Sequence, residues 1–287
     1  MPPYIMTMLC LGSRAVLHVG PHKIGSTSLQ ITLEKLRGVL LAQDNFSMVP
    51  PSFEGGYGKG PKSGADVANC LSGTPNKRNC TQVLGQFENL LDDARSANQG
   101  IILSAEKFDS PDMDIPYLAS ALRGFETSIT VMHRPLFDWL RSRYTQLAPR
   151  MPMPLEEFVT SDRILAAATK SDPSSLAVYK RYSQHFRDVR MRRLAPGYIT
   201  DFICTDAQAH AACSSLHKYG EAHQNANKST AYYRRTGCFT DQQWELLWTA
   251  SVGAEAEAQA IIDRSDKALL NLTELRYRYA HAPYRLC

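Results

Sequence analysis

Apolar residues follow two different periods along this chain, and the switches between them mark out its elements. Arg14 to Val19 (RAVLHV) is a short, mostly apolar run ending at Gly20, which predicts a buried first strand. After a turn rich in Gly, Pro, Ser and Thr, Leu29, Leu33, Leu36 and Leu40 recur at helical spacing and predict a helix over Leu29 to Leu41. Phe46 to Val49 reads as a second strand, and the Gly/Pro-rich stretch Pro50 to Gly64 as a loop. Val83, Leu84, Phe87, Leu90 and Leu91 predict a helix over Cys80 to Ala97. Ile101 to Leu103 is a further buried strand, Ile115 to Leu122 a helix, and Thr127 to Met132 a β-branched strand.

Pro135 suits the first turn of a helix, which the pattern continues to Leu147 before Met151 to Pro154 breaks it. Ser174 to Phe186 reads as a helix, Val189 to Leu194 as a strand, and Asp241 to Ala250 and Ala254 to Tyr277 as two C-terminal helices. Strands alternating with helices imply an α/β fold in three layers, a mostly parallel central sheet flanked by helices. With no internal repeat and no low-complexity linker, residues 1–287 are expected to form one domain, residues 1–13 being a poorly ordered N-terminal segment.

Composition narrows the function classes. The chain has 287 residues, 44% hydrophobic and 21% charged, with a formal charge of +4. That excludes a disordered chain and a dedicated nucleic-acid binder, because so small a charge makes no basic face. A site for one small polyanion needs only a few local cations. The most apolar opening stretch, Ile5 to Gly12, is far shorter than the roughly 20 residues of a membrane-crossing helix. It also lacks the basic residues that precede a signal-peptide core. A cytoplasmic enzyme fits this reading, and so does a luminal one whose anchor lies outside the sequence.

Seven cysteines contain no CxxC pair, so a zinc ribbon or thioredoxin motif finds no support. Cys70 and Cys80 bracket a polar loop at a spacing suited to a disulfide, and Cys204 and Cys213 offer a second; free buried thiols are the other reading. Four Asn-x-Ser/Thr sequons, at Asn45, Asn79, Asn227 and Asn271, exceed the one or two that chance gives, and lean toward a secretory lumen.

The turn after the first strand holds the most chemistry. Gly20-Pro-His22-Lys23-Ile-Gly25-Ser26-Thr27-Ser28 lies between a strand end and a helix start. Backbone N–H groups there lack intrahelical partners and the helix dipole favours anions. Gly25 permits close backbone approach, three hydroxyls add donors, and Lys23 adds a mobile charge. A plain Ser/Thr helix cap is the alternative. In the Walker A loop the lysine follows the second glycine; here it precedes Gly25 by two residues, against an ordinary ATP or GTP hydrolase.

HVGPHKIGSTSLQ resembles the 5′-phosphosulfate loop of the sulfotransferases, in the GPHKTGTTSLQ form of carbohydrate-type, algal, fungal and bacterial members. Ile24 stands where that family usually has Thr or Ser, so one hydroxyl is missing. The family's 3′-phosphate site, an arginine at a strand end followed eight positions later by a serine, is matched by Arg134 and Ser142. Ile101-Ile-Leu-Ser-Ala-Glu106-Lys-Phe108 is similar to its ILSSE-F segment, and Asn225-Ala-Asn-Lys228-Ser229 to a loop that closes over the nucleotide.

The resemblance implies a P-loop-like sulfotransferase using 3′-phosphoadenosine-5′-phosphosulfate (PAPS), without a metal, on a hydroxyl acceptor, most plausibly carbohydrate, in a Golgi-type lumen. His22, Lys23, Gly25, Ser26, Thr27, Ser28, Arg134, Ser142, Lys228 and Ser229 would then hold the nucleotide. Lys23 would stabilise the leaving phosphate. Glu106, at a predicted strand end, is the candidate general base; capping a turn or pairing with a structural lysine is its other reading. His22 and His133 are alternative bases. His18 reads as a satisfied core histidine, and Trp139, Tyr144, Tyr232 and Tyr233 as core aromatics or stacking platforms. A nucleoside or metabolite kinase on the same sheet, or a catalytically inactive nucleotide-binding relative, are the competing classes.

Overall fold

The computed structural model describes residues 13–20, 26–54, 62–73, 79–135, 139, 175–219, 245 and 256–262. Its strands are β1 (Arg14–Val19), β2 (Phe46–Met48), β3 (Gly100–Ser104), β4 (Glu126–His133) and β5 (Asp188–Arg193). All pair in parallel, in the order β2-β3-β1-β4-β5, with β1 at the centre. The helices are α1 (Ser26–Gln43), α2 (Ala65–Leu71), α3 (Cys80–Ser96), α4 (Ile115–Ala121), α5 (Ser175–Ser183), α6 (Tyr198–Thr200) and α7 (His210–Tyr219). A π turn, Asp201–Asp206, continues α6.

Side chains alternate across a strand, so a central strand must be apolar on both faces. Ala15, Leu17 and Val19 pack with Phe87 of α3, Leu118 of α4 and Tyr182 of α5. Val16 faces the other way, into Leu29, Leu33 and Leu36 of α1 and Phe202 of the π turn. Each fully buried leucine of that α1 stripe contributes roughly 1.5–3 kcal/mol by leaving water. The result is the three-layer α/β architecture expected from the alternating pattern.

This topology has a switch point. From β1 the chain crosses over one face through α1 to β2, and from β4 it crosses the opposite face past α5 to β5. Adjacent strand ends therefore diverge between β1 and β4, where ligands bind in open α/β sheets. The register pairs Val19 with Val131, so residues following β1 and residues following β4 emerge at the same end.

Most expected elements stand close to their sequence bounds, and the exceptions are informative. Helix α1 starts at Ser26, before its leucine stripe, because the first turn is held by polar contacts described below. Helices α2, α6 and α7 were not expected; they are short, and α7 (HAACSSLHKY) mixes small and polar residues without a long stripe. From the end of α1, Asp44 accepts from the backbone N–H groups of Ala211 and Ala212 at 2.8 Å, satisfying the start of α7.

Cys70–Cys80 ties α2 to α3, and Cys204–Cys213 ties the π turn to α7, so the disulfide reading holds at both pairs. Among the described residues no helix is long and apolar enough to cross a membrane. Of the helix expected from Pro135 to Leu147, Pro135 and Trp139 are described, and the Trp139 N–H donates to the Pro135 carbonyl at 2.9 Å as in a helical turn. Residues 256–262 are helical, within the stretch expected from Ala254 to Tyr277. Glu245 alone is described of the Asp241 to Ala250 stretch; residues 1–12 and Met151 to Pro154 lie outside the described residues.

Candidate active site

Helix α1 begins at the carboxyl end of the central strand, and its first turn is Ser26, Thr27 and Ser28. That turn carries no acidic side chain of its own, so its unpaired backbone donors are not pre-neutralised from within the helix. Ser26 is buried, and its hydroxyl donates to Oε1 of Glu106 at 2.9 Å. Two of the residues singled out in the sequence are thus directly bonded across 80 positions of chain. The contact also changes the role of Ser26: its one hydroxyl proton is committed to Glu106, which leaves the backbone N–H as its donor for an anion. Thr27 and Ser28 are half-buried beside it.

Glu106 opens a 3-10 turn (Glu106–Asp109) directly after β3. Its second oxygen accepts from Nζ of Lys62 at 2.7 Å; the side chains are 13% and 39% exposed respectively. The carboxylate therefore joins three connections: the one entering α1, the one entering α2, and the one leaving β3. Lys62 reaches it because of its two neighbours. The Ser63 hydroxyl lies 2.7 Å from the carbonyls of both Val49 and Ile102, which share its one proton, and the Ser63 carbonyl accepts from Ser104 N–H at 2.9 Å. Gly64 then turns the chain with φ of 76°, and a Cβ there would lie 3.2 Å from Leu103. Lys62 has no sequence signature, and sequence reading missed it.

Behind this pair lies a buried polar layer. His18 of β1 holds Nδ1 3.0 Å from the Ser104 hydroxyl, and Gln30 of α1 donates to the Ser104 carbonyl at 3.1 Å. The His18 ring stands edge-on to Phe202. Burial pulls its imidazole down from 6.5 to about 4, while the nearby Glu106 carboxylate acts in the opposite sense. His18 is thus neutral near pH 7. The expectation of a satisfied core histidine needs amending, since Nε2 has no hydrogen-bond partner among the described residues.

Helix α5 fastens the turn that carries Glu106. The Tyr182 hydroxyl, fully buried, donates to the Phe108 carbonyl at 2.8 Å, and burial pushes its phenol far above the usual range. Arg181 donates to the carbonyls of Ser110 and Asp109 at 2.6 and 2.7 Å. The helix expected over Ser174 to Phe186 carries no sequence sign of this clamp on the Glu106 turn.

Arg134 follows β4 directly and is half-buried at the switch point, one strand away from the start of α1. His133 and Trp139 are both 5% exposed; Trp139 belongs with the core aromatics. His22, Lys23, Gly25, Ser142, Tyr144, Lys228, Ser229, Tyr232 and Tyr233 lie outside the described residues. What is described brings Ser26 to Glu106 and puts Arg134 at the same sheet end. Comparison of the chain with family models, with curated proteins and with solved structures found no match.

Proposed function

We propose that the chain is a sulfotransferase with a P-loop-like nucleotide site, moving a sulfuryl group from PAPS to a hydroxyl on a carbohydrate acceptor. One observation carries the reading: a hydroxyl-bearing helix start after β1 and an arginine that follows β4 stand at the same end of the sheet, on either side of the switch point. Such a pair suits a nucleotide with two separated phosphates. Backbone donors at α1 suit the 5′-phosphosulfate, and a guanidinium suits the 3′-phosphate with two parallel hydrogen bonds. By the sequence resemblance His22, Lys23 and Gly25 complete the first site, Ser142 the second, and Lys228 and Ser229 close over the nucleotide.

In the transfer, a bond forms from the acceptor oxygen to sulfur as the bond from sulfur to the 5′-phosphate oxygen breaks. The electron pair leaves with adenosine 3′,5′-bisphosphate, and Lys23 is assigned to that developing charge. The acceptor proton passes to Glu106, the carboxylate at the β3 end. Two disulfides suit an oxidising compartment, which supports a secretory, Golgi-type setting.

Calorimetric titration of adenosine 3′,5′-bisphosphate against ATP tests the reading. The bisphosphate is expected to bind the more tightly, and Arg134→Ala to weaken it by about 1.5–3 kcal/mol, the range for a hydrogen bond to a charged group. Tight ATP binding with magnesium-dependent turnover and no preference for a 3′-phosphate would move the chain to the kinases. Bisphosphate binding without transfer would mark an inactive relative.

A further inference from the structure

The Lys62–Glu106 pair has a geometry that stability alone does not explain. A lysine 39% exposed, held to one carboxylate, is a weak source of folding energy. Yet the chain builds it through the Ser63 hydroxyl set between the Val49 and Ile102 carbonyls and the left-handed turn at Gly64. What it does provide is a positive charge 2.7 Å from the carboxylate that also holds Ser26 at the start of α1.

We propose that Lys62 is a positioning residue that keeps Glu106 ionised and fixed against Ser26 while a polyanionic donor is bound at the start of α1. The inference rests on the transfer reading above. A phosphosulfate brought to the α1 terminus places negative charge beside Glu106, and like charge favours the protonated, non-basic carboxyl. An adjacent ammonium opposes that shift. The donor and its base can then share one strand end without the first silencing the second.

Lys62 acts alongside the other charged groups packed around Glu106. His18 of β1 is neutral at working pH. Asp66 of α2 is buried and accepts from the Ser52 hydroxyl and the Phe53 N–H. Arg181 of α5 donates to the backbone of Asp109 and Ser110. Lys107 and Asp109 share the 3-10 turn with Glu106 itself.

The test is direct titration of the Glu106 carboxyl by carbon-13 NMR, its signal assigned by its loss in Glu106→Gln. Full-length chain, Lys62→Met and Lys62→Arg are each titrated with and without saturating adenosine 3′,5′-bisphosphate. An opposite charge this close shifts a carboxyl by 1–3 pH units, and the exposure of Lys62 puts the expectation near one. Lys62→Met should therefore raise the Glu106 midpoint by about one unit, more with the bisphosphate bound than without, and Lys62→Arg should restore it. The thermal unfolding midpoint should stay put, which separates the effect from misfolding. A midpoint that Lys62→Met leaves unmoved, in a chain that binds the bisphosphate, overturns the proposal alone. Failure of the unsubstituted chain to bind the bisphosphate overturns the transfer reading, and the donor-linked role of Lys62 with it.

Discussion

Two carboxylates on either side of the central strand show how one residue type serves different ends. Asp206, at the end of the π turn, is fully buried and accepts from Arg192 at 2.7 Å, from Thr130 at 3.0 Å and from Arg190 at 3.4 Å. The Arg14 side chain bonds the Asp206 and Ala207 carbonyls, closing the same corner. Glu106 lies at a strand end, and its partners include the Ser26 hydroxyl and the half-exposed Lys62. Asp206 locks β4 to β5 from within the core, whereas Glu106 stands at the carboxyl end of β3. Burying an ion pair is costly unless every lone pair is met, so a saturated pair is a structural commitment. A carboxylate left at a strand end keeps its proton chemistry available.

The two should therefore fail differently, and this is the largest effect expected. On the proposed transfer reading, Glu106→Gln should lower sulfuryl transfer from PAPS to a carbohydrate acceptor by roughly 10²–10⁴-fold, the usual contribution of a general base. Its unfolding free energy should change by less than about 1 kcal/mol, as for a partly exposed ion pair. Asp206→Asn should do the reverse. It removes the carboxylate charge held against the buried Arg192 guanidinium and should cost about 3 kcal/mol in urea unfolding. If both substitutions struck stability alike, the division between lock and base would collapse.

His18 stands between these cases, being buried like Asp206 but bonded on only one nitrogen among the described residues. Its folded pKa of about 4 lies below the ordinary 6.5, so the unfolded chain binds the proton more readily across that window. Stability from this group is fully present above about pH 6.5 and is lost as pH falls toward 4. The loss amounts to about 3 kcal/mol. His18→Asn retains a donor near Nδ1 and cannot titrate. Its deficit against the unsubstituted chain at pH 7 should shrink by about that amount at pH 4, as read from denaturant unfolding at both pH values. A deficit independent of pH would mean that His18 is more open to solvent than its setting implies.

Legibility in the sequence followed the range of the interaction. The apolar runs of β1 and β3 and the leucine stripe of α1 are local signals, and they placed the layers. Helices α2 and α7 are too short or too mixed to show a period, and they form because Asp44 and the two disulfides hold their ends from outside. The site divides likewise. Ser26 and Glu106 follow strand ends, where position marks them as candidates, and Arg134 stood out through the sequence resemblance. Their partners are set by folding: nothing in the sequence joins residue 62 to residue 106, and the bond depends on Ser63 spanning β2 and β3. Pairing with a lysine was the alternative reading of Glu106 to the general base, and that pair is present.

The smallest effect expected bears on what holds Glu106 in its open position. Tyr182→Phe removes the hydroxyl that donates to Phe108 and keeps the ring that packs under the turn. The orphaned carbonyl is buried, so the change should cost about 1–2 kcal/mol in chemical unfolding. Arg181 still holds the carbonyls of Asp109 and Ser110, and Lys62 and Ser26 still hold the carboxylate. Transfer should therefore fall by less than about tenfold, well short of Glu106→Gln. A collapse of turnover as deep as that of Glu106→Gln, with the fold intact, would place the setting of the base in the α5 clamp. The open carboxylate would then depend on a buried frame as fully as Asp206 does.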